Sequence, residues 1–177
     1  MRLFRGSLFV WILLTSSVGL GVESVKPELM MKLPPHWRAA QHTNFRDHGE
    51  TMFMKVGETP STYTEMIVEE YLPKSTMKIT APKLAEERLK AYRLGKCKTE
   101  VISQTKDRKR STIRYQCPMQ VESGVLLVVD GENDVVYAIR YQLPRIKLSP
   151  EDAERITRYV NDNMKICDRA DPPKCVR

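Results

Sequence analysis

Cys97 and Cys117 bracket two strand-like runs, residues 97–104 and 110–117, joined by the polar turn Thr105-Lys106-Asp107-Arg108-Lys109. With Asp107 at the centre of the turn, residues whose numbers sum to 214 oppose one another, and 97 and 117 satisfy that sum. Opposed residues of an antiparallel pair lie ~4.5–5.5 Å apart at Cα, inside the ~4.4–6.8 Å that a disulfide accepts. The spacing therefore specifies a cross-link and a strand register together. Cys167 and Cys175 then pair by elimination and close the tail 168–174. A four-thiolate zinc site is the competing use of four cysteines, but the CxxC spacing of such sites is missing, so no metal is assigned.

Disulfides need an oxidising compartment, and the N-terminus points to one. Arg2 and Arg5 precede an apolar run over 8–14 and a small, weakly polar stretch over 15–21, the order of a secretory signal. The strong apolar core is too short to cross a bilayer of ~30 Å as a helix, and Gly19 and Gly21 suit cleavage after Gly21. An uncleaved anchor reaching Val22 is the alternative. With no cysteine near the cleavage point, a bacterial lipoprotein is disfavoured, and no later segment is apolar enough to span a membrane. The chain divides into a signal peptide (1–21), a flexible N-terminal segment (22–35) and a single domain (36–177) with a disulfide-closed tail. Beyond Gly21 there are 27 Lys and Arg against 22 acids, a net charge of about +5 spread along the chain. Such a domain meets anionic surfaces or acidic proteins more readily than nucleic acid.

Within the domain, 37–45 and 50–56 read as short strands about the turn Asp47-His48-Gly49. Residues 63–72 are rich in β-branched and aromatic side chains and lie between Pro60 and Pro73, which favours a strand. Thr80 offers an N-cap, Pro82 fits a first turn, and Leu84, Ala85, Arg88, Leu89 and Tyr92 recur at helical spacing up to Gly95. After the cysteine hairpin come strands at 121–129 and 135–142 about an Asp-Gly turn, with Val135, Tyr137, Ile139 and Tyr141 on the core face. Ser149, Pro150, Glu151 and Asp152 start a second helix, whose stripe Ile156, Tyr159, Val160 and Met164 carries it to about Ile166. Strands joined by short turns predict an α+β fold: an antiparallel sheet of about six strands with two helices packed on it.

The order of elements, the run Tyr63-Thr64-Glu65-Met66-Ile67, the Asp130-Gly131-Glu132 hairpin and the terminal Cys167-Asp168 and Cys175 resemble a group of bacterial periplasmic proteins whose fold is PsbP/Mog1-like. The resemblance runs from Trp37 onward, with Tyr63 standing where that group carries tryptophan. It implies an antiparallel sheet in two or three layers and a periplasmic address, with secretion as the alternative, and it brings no catalytic residues.

Candidate chemistry is sparse. His36, His42 and His48 recur at a spacing of six, but the turn between them separates their faces. No G-x-S-x-G occurs, and the cysteines are used as disulfides. Glu65 and Glu69 share a strand face, beside Glu70, and read as a solvated face rather than as paired catalytic carboxylates. Lys106, Arg108, Lys109 and Arg110 are the densest basic cluster, a contact patch for anionic lipid or an acidic partner if it is more than a wet turn. Trp37, the one tryptophan beyond the signal, reads as a packing residue. The sequence therefore points to a non-enzymatic exported envelope protein, a binding or accessory component of a larger cell-envelope or secretion assembly, with no cofactor. The alternative is a small periplasmic hydrolase or ligand-binding protein, which requires a pocket where acids or histidines converge.

Overall fold

The apolar run ending at Val129 and the alternating run after it pair as an antiparallel hairpin, with Val125 opposite Tyr141 and Val129 opposite Tyr137. The other elements are laid against this hairpin. The computed structural model describes residues 29–46, 48–131, 134–167 and 175–176. Their order is β1 (Leu29–Met31), β2 (Trp37–Asn44), β3 (Gly49–Lys55), β4 (Met66–Pro73), α1 (Lys74–Met77), α2 (Ala81–Leu94), β5 (Lys98–Gln104), β6 (Arg110–Cys117), a 3-10 turn (Pro118–Gln120), β7 (Glu122–Asp130), β8 (Val135–Leu143), α3 (Pro150–Asn163), β9 (Met164–Cys167) and β10 (Cys175–Val176).

The main sheet is antiparallel throughout, in the order β2-β3-β4-β8-β7-β6-β5. It has seven strands rather than the expected six or so, and three helices rather than two. Those seven correspond one for one to the strand-like runs of the sequence, which a count of about six understates by one; the largely exposed β2 is held by its backbone ladder to β3 rather than by burial. The third helix, α1, is a single turn tied to the β7–β8 turn, where Lys74 N donates to Asp134 O at 2.7 Å and Lys74 Nζ lies 3.4 Å from Asp130.

Both faces of β7 and β8 are buried. Val125, Leu127, Tyr137 and Ile139 meet Ala153, Ile156 and Val160 of α3. Leu126, Val128, Val136 and Ala138 meet Ala81, Leu84 and Ala85 of α2. The face carrying Val135 to Tyr141 is thus one of two core faces, and the chain forms three layers, helix on sheet on helix. Central strands covered on both sides read as continuous apolar runs, as in Val125-Leu126-Leu127-Val128-Val129. Close approach at their crossing requires Gly124, where a Cβ would sit 2.2 Å from the Tyr141 carbonyl.

The helices start as the sequence specifies. Thr80 accepts from Lys83 N at 3.4 Å and Ser149 from Asp152 N at 3.0 Å, each followed by a proline in the first turn. α3 stops at Asn163 rather than near Ile166, because Met164 turns to extended backbone and opens β9. β9 is the middle strand of a second, three-stranded sheet, β1-β9-β10. The segment 22–35, expected to be flexible, is therefore docked from Leu29 onward: Leu29 lies opposite Ile166 and Lys32 N donates to Asn163 O at 3.1 Å. A three-residue strand has no periodicity to detect, and its partner lies more than 130 residues away. The signal segment 1–21 and the tail loop 168–174 lie outside the described residues. No helix among the described residues is long and apolar enough to cross a membrane.

Candidate functional site

At one end of the sheet, on the face covered by α3, strand register places Trp37 opposite Lys55, while Ile67 lies opposite both Phe53 and Tyr141. The α3 residues Arg155, Tyr159 and Asn163, four apart and so on one helical face, form a second wall, and the segment 32–35 forms a third. Together they enclose a cleft of about 500 Å³ lined chiefly by Leu33, Pro34, Trp37, Tyr141 and Tyr159, with Lys32 and Lys55 also in its lining. The segment 32–35 is fastened by Tyr159, whose hydroxyl donates to Lys32 O at 2.6 Å.

Tyr141 is the centre of the cleft. Its ring packs at 5.8 Å against Trp37 and edge-on at 5.4 Å against Tyr159, while the Arg155 guanidinium lies 6.0 Å above its ring centre. Its hydroxyl donates to Glu65 at 2.7 Å and accepts from Arg155 at 3.3 Å. Arg155 also donates to Glu65 at 2.8 Å and to Asp152 at 3.0 Å. Burial, then the Glu65 hydrogen bond, holds the Tyr141 phenol well above its ordinary pKa, so it remains a donor. For Arg155, burial opposes the charge, but the hydrogen bonds to Asp152 and Tyr141 outweigh it and raise the pKa. Both Glu65 oxygens are engaged by these two partners. This is a fixed, charge-balanced support beneath an aromatic wall.

The sequence-derived candidates fall in several places. Cys97 and Cys117 are bonded, as the hairpin spacing requires. The register sum is 214 from Lys98–Gln116 to Val101–Ile113 but 215 at Gln104–Ser111, and a bulge between Val101 and Ser103 absorbs the difference. Cys175 lies opposite Cys167 in the β9–β10 ladder. Lys106, Arg108 and Lys109 occupy the β5–β6 turn and Arg110 opens β6, at the far end of the sheet from the cleft. There Arg108 faces Glu86 at 3.5 Å, Lys109 faces Asp107 at 3.9 Å, and Arg110 is partly buried, which lowers its pKa.

His36, His42 and His48 do not converge: His42 lies on β2, hydrogen-bonded to Thr51 at 2.8 Å and Asn44 at 2.9 Å, and the other two lie in turns. Among the described residues no group of three or more His, Cys, Asp or Glu is placed to hold a metal. Glu65 enters the cleft, whereas Glu69 lies further along the same face beside Ile139, partly buried, with no cation on it among the described residues. Burial alone pushes its carboxyl up to about 7. Glu70, on the other face, is 6% exposed and paired with Arg88 and Arg140. Trp37 packs on the core, as expected, and also lines the cleft. Sequence reasoning missed Arg155 and Asn163. Their signal was the four-residue spacing from Tyr159 along the polar margin of the helical stripe. No protein-family model matches this chain, and no curated protein matches it.

Proposed function

We propose that the protein is a non-enzymatic, exported binding component of a bacterial envelope, with a PsbP/Mog1-like fold, and that the Trp37–Tyr141–Tyr159 cleft is its binding site. The observation that carries the reading is the chemistry of that cleft: the one carboxylate that lines it among the described residues, Glu65, is held by Tyr141 and Arg155, and its walls are aromatic and aliphatic. Such a surface recognises an apolar body by stacking, while Lys32 and Lys55 favour an anionic group on the same ligand. The Cys97–Cys117 bond supports an oxidising compartment, and the basic, apolar N-terminal run supports export.

The cleft volume, about 500 Å³, lies within the range of small-molecule sites and favours a second reading of the occupant, a small ligand rather than a partner's side chains. One experiment separates the two. The exported protein, with Trp37 as its reporter, is titrated with envelope extract divided by ultrafiltration into small and large fractions. Binding in the cleft changes the Trp37 emission with one of them, and Tyr159→Ala weakens the change. An unaltered response in Tyr159→Ala, or none with either fraction, overturns the assignment of the site; turnover of ester, peptide or glycoside substrates that Glu65→Gln abolishes overturns the non-enzymatic reading.

A further inference from the structure

Three large apolar side chains stand in water near the Cys97–Cys117 bond: Leu94 and Met119 are 77% exposed and Val121 is 51% exposed. The fold brings them to one end of the molecule. Leu94 is the last residue of α2, three before Cys97, and Met119 and Val121 follow Cys117 by two and four. The disulfide joins the two turns, and Cys97 Sγ lies 3.8 Å from both the Gly95 carbonyl and Gln120 Oε1. Within these turns Arg93, Lys96 and Lys98 are exposed, and neither 93–98 nor 118–121 contains an acid. Glu122, the next acid along, is engaged by the Tyr115 hydroxyl at 2.9 Å, and Glu100 by Arg114 at 2.9 Å.

Two residues of these turns have left-handed backbone. Val121 has φ 51° and Lys96 φ 57°, a left-handed region that costs a β-branched residue most. Core packing explains none of this, because the three side chains face away from the cluster that buries Cys97 and Cys117.

We propose that this end is a docking surface for an anionic phospholipid bilayer, with Leu94, Met119 and Val121 entering the headgroup boundary and Arg93, Lys96 and Lys98 binding lipid phosphates. Charge complementarity selects the occupant: aliphatic and thioether knobs beside unopposed cations suit a fluid anionic interface. Docking here orients the molecule, because the cleft opens at the same end of the sheet, across from the disulfide on the β2–β3 side.

Vesicle flotation tests the proposal, using the exported protein and variants that share one N-terminus, so that any contribution of residues 1–28 cancels. The protein floats with phosphatidylglycerol-containing vesicles and not with pure phosphatidylcholine. Leu94→Ser with Met119→Ser, and separately Lys96→Glu with Lys98→Glu, each weaken partitioning by roughly tenfold, and raising the salt weakens it further. Lys106→Glu with Lys109→Glu at the far hairpin leaves it within about twofold. Thermal melting and an intact Cys97–Cys117 peptide show that each variant is folded, and Val121→Ser gives a second apolar reading. No flotation, equal flotation of the apolar variants, or an equal loss in the hairpin variant overturns the proposal. So does capture of an envelope protein that Leu94→Ser abolishes without any lipid dependence.

Discussion

Glu69 and Glu70 are neighbours on one strand, yet the two faces of the sheet treat them in opposite ways. On the α2 face Glu70 is almost fully buried and lies between Arg88 and Arg140, and Arg140 also reaches Glu50 at 3.5 Å. On the α3 face Glu69 is less buried but has Ile139 and Thr51 opposite it and, among the described residues, no cation, and its carboxyl rises to about 7. Depth of burial does not by itself decide the cost of a charge. A partner placed by the neighbouring strand and helix decides it.

The largest expected effect lies on the paired face. Arg140→Met leaves Glu50 without its cation and Glu70 with Arg88 alone, and costs about 3 kcal/mol, the lower end for a broken buried pair because Arg140 is not fully enclosed. Urea denaturation of the oxidised protein at pH 7 measures it. A loss below about 1 kcal/mol would show that the α2 face tolerates an unpaired carboxylate as the α3 face does, and the contrast would fail.

The Cys97–Cys117 staple lies under the same face, with both cysteines in the α2-side core. Closing a loop with a sequence separation of 20 stabilises by about 3 kcal/mol in the chain-entropy model, so Cys97→Ser with Cys117→Ser lowers stability by about that amount. Non-reducing peptide mapping is expected to link Cys97 to Cys117 and, from the β9–β10 register, Cys167 to Cys175. Removing that second pair, which closes a shorter loop at the chain end, costs less.

Glu69 supplies the opposite sign. Its folded-state value of about 7 lies above the ordinary 4.5, so the folded protein binds the proton more tightly than the unfolded chain. This contribution is complete below about pH 4.5 and is lost as pH rises through about 7. Glu69→Gln therefore raises stability at pH 8 by about 1–2 kcal/mol, after allowance for its partial exposure, and changes little at pH 4. Melting curves at the two pH values decide this. A Glu69→Gln variant no more stable than wild type at pH 8 would mean that water or a neighbour solvates the carboxylate.

The smallest effect compares the two helices, one on each face. Ser149 caps α3 at 3.0 Å and is followed by Glu151 and Asp152, whereas Thr80 caps α2 at 3.4 Å with no acid in the first turn. Ser149→Ala should cost about 1 kcal/mol and Thr80→Ala about half as much, as chemical denaturation would show. The reverse order would mean that Glu151 and Asp152 compensate for a lost cap.

Local chemistry made much of this legible. The caps, the Asp-Gly turn, the alternating and continuous strand runs and the Cys97–Cys117 opposition each depend on residues close in sequence, and each stands in the structure. The register of the cysteine hairpin came out despite a bulge that a count from the turn does not include. The candidate site was far less legible. Trp37, Glu65, Tyr141 and Arg155 are spread over more than a hundred residues, and each alone has an ordinary structural reading. The sequence by itself determined the strands of the main sheet, the starts of the two long helices and one covalent staple, because propensity, capping and turn closure act over a few residues. Only the tertiary structure decided that helices cover both faces, that β1 pairs with β9, which glutamate finds arginine, and that three aromatic rings meet in one cleft. Those outcomes depend on which distant surfaces are buried together, a choice made by the whole core.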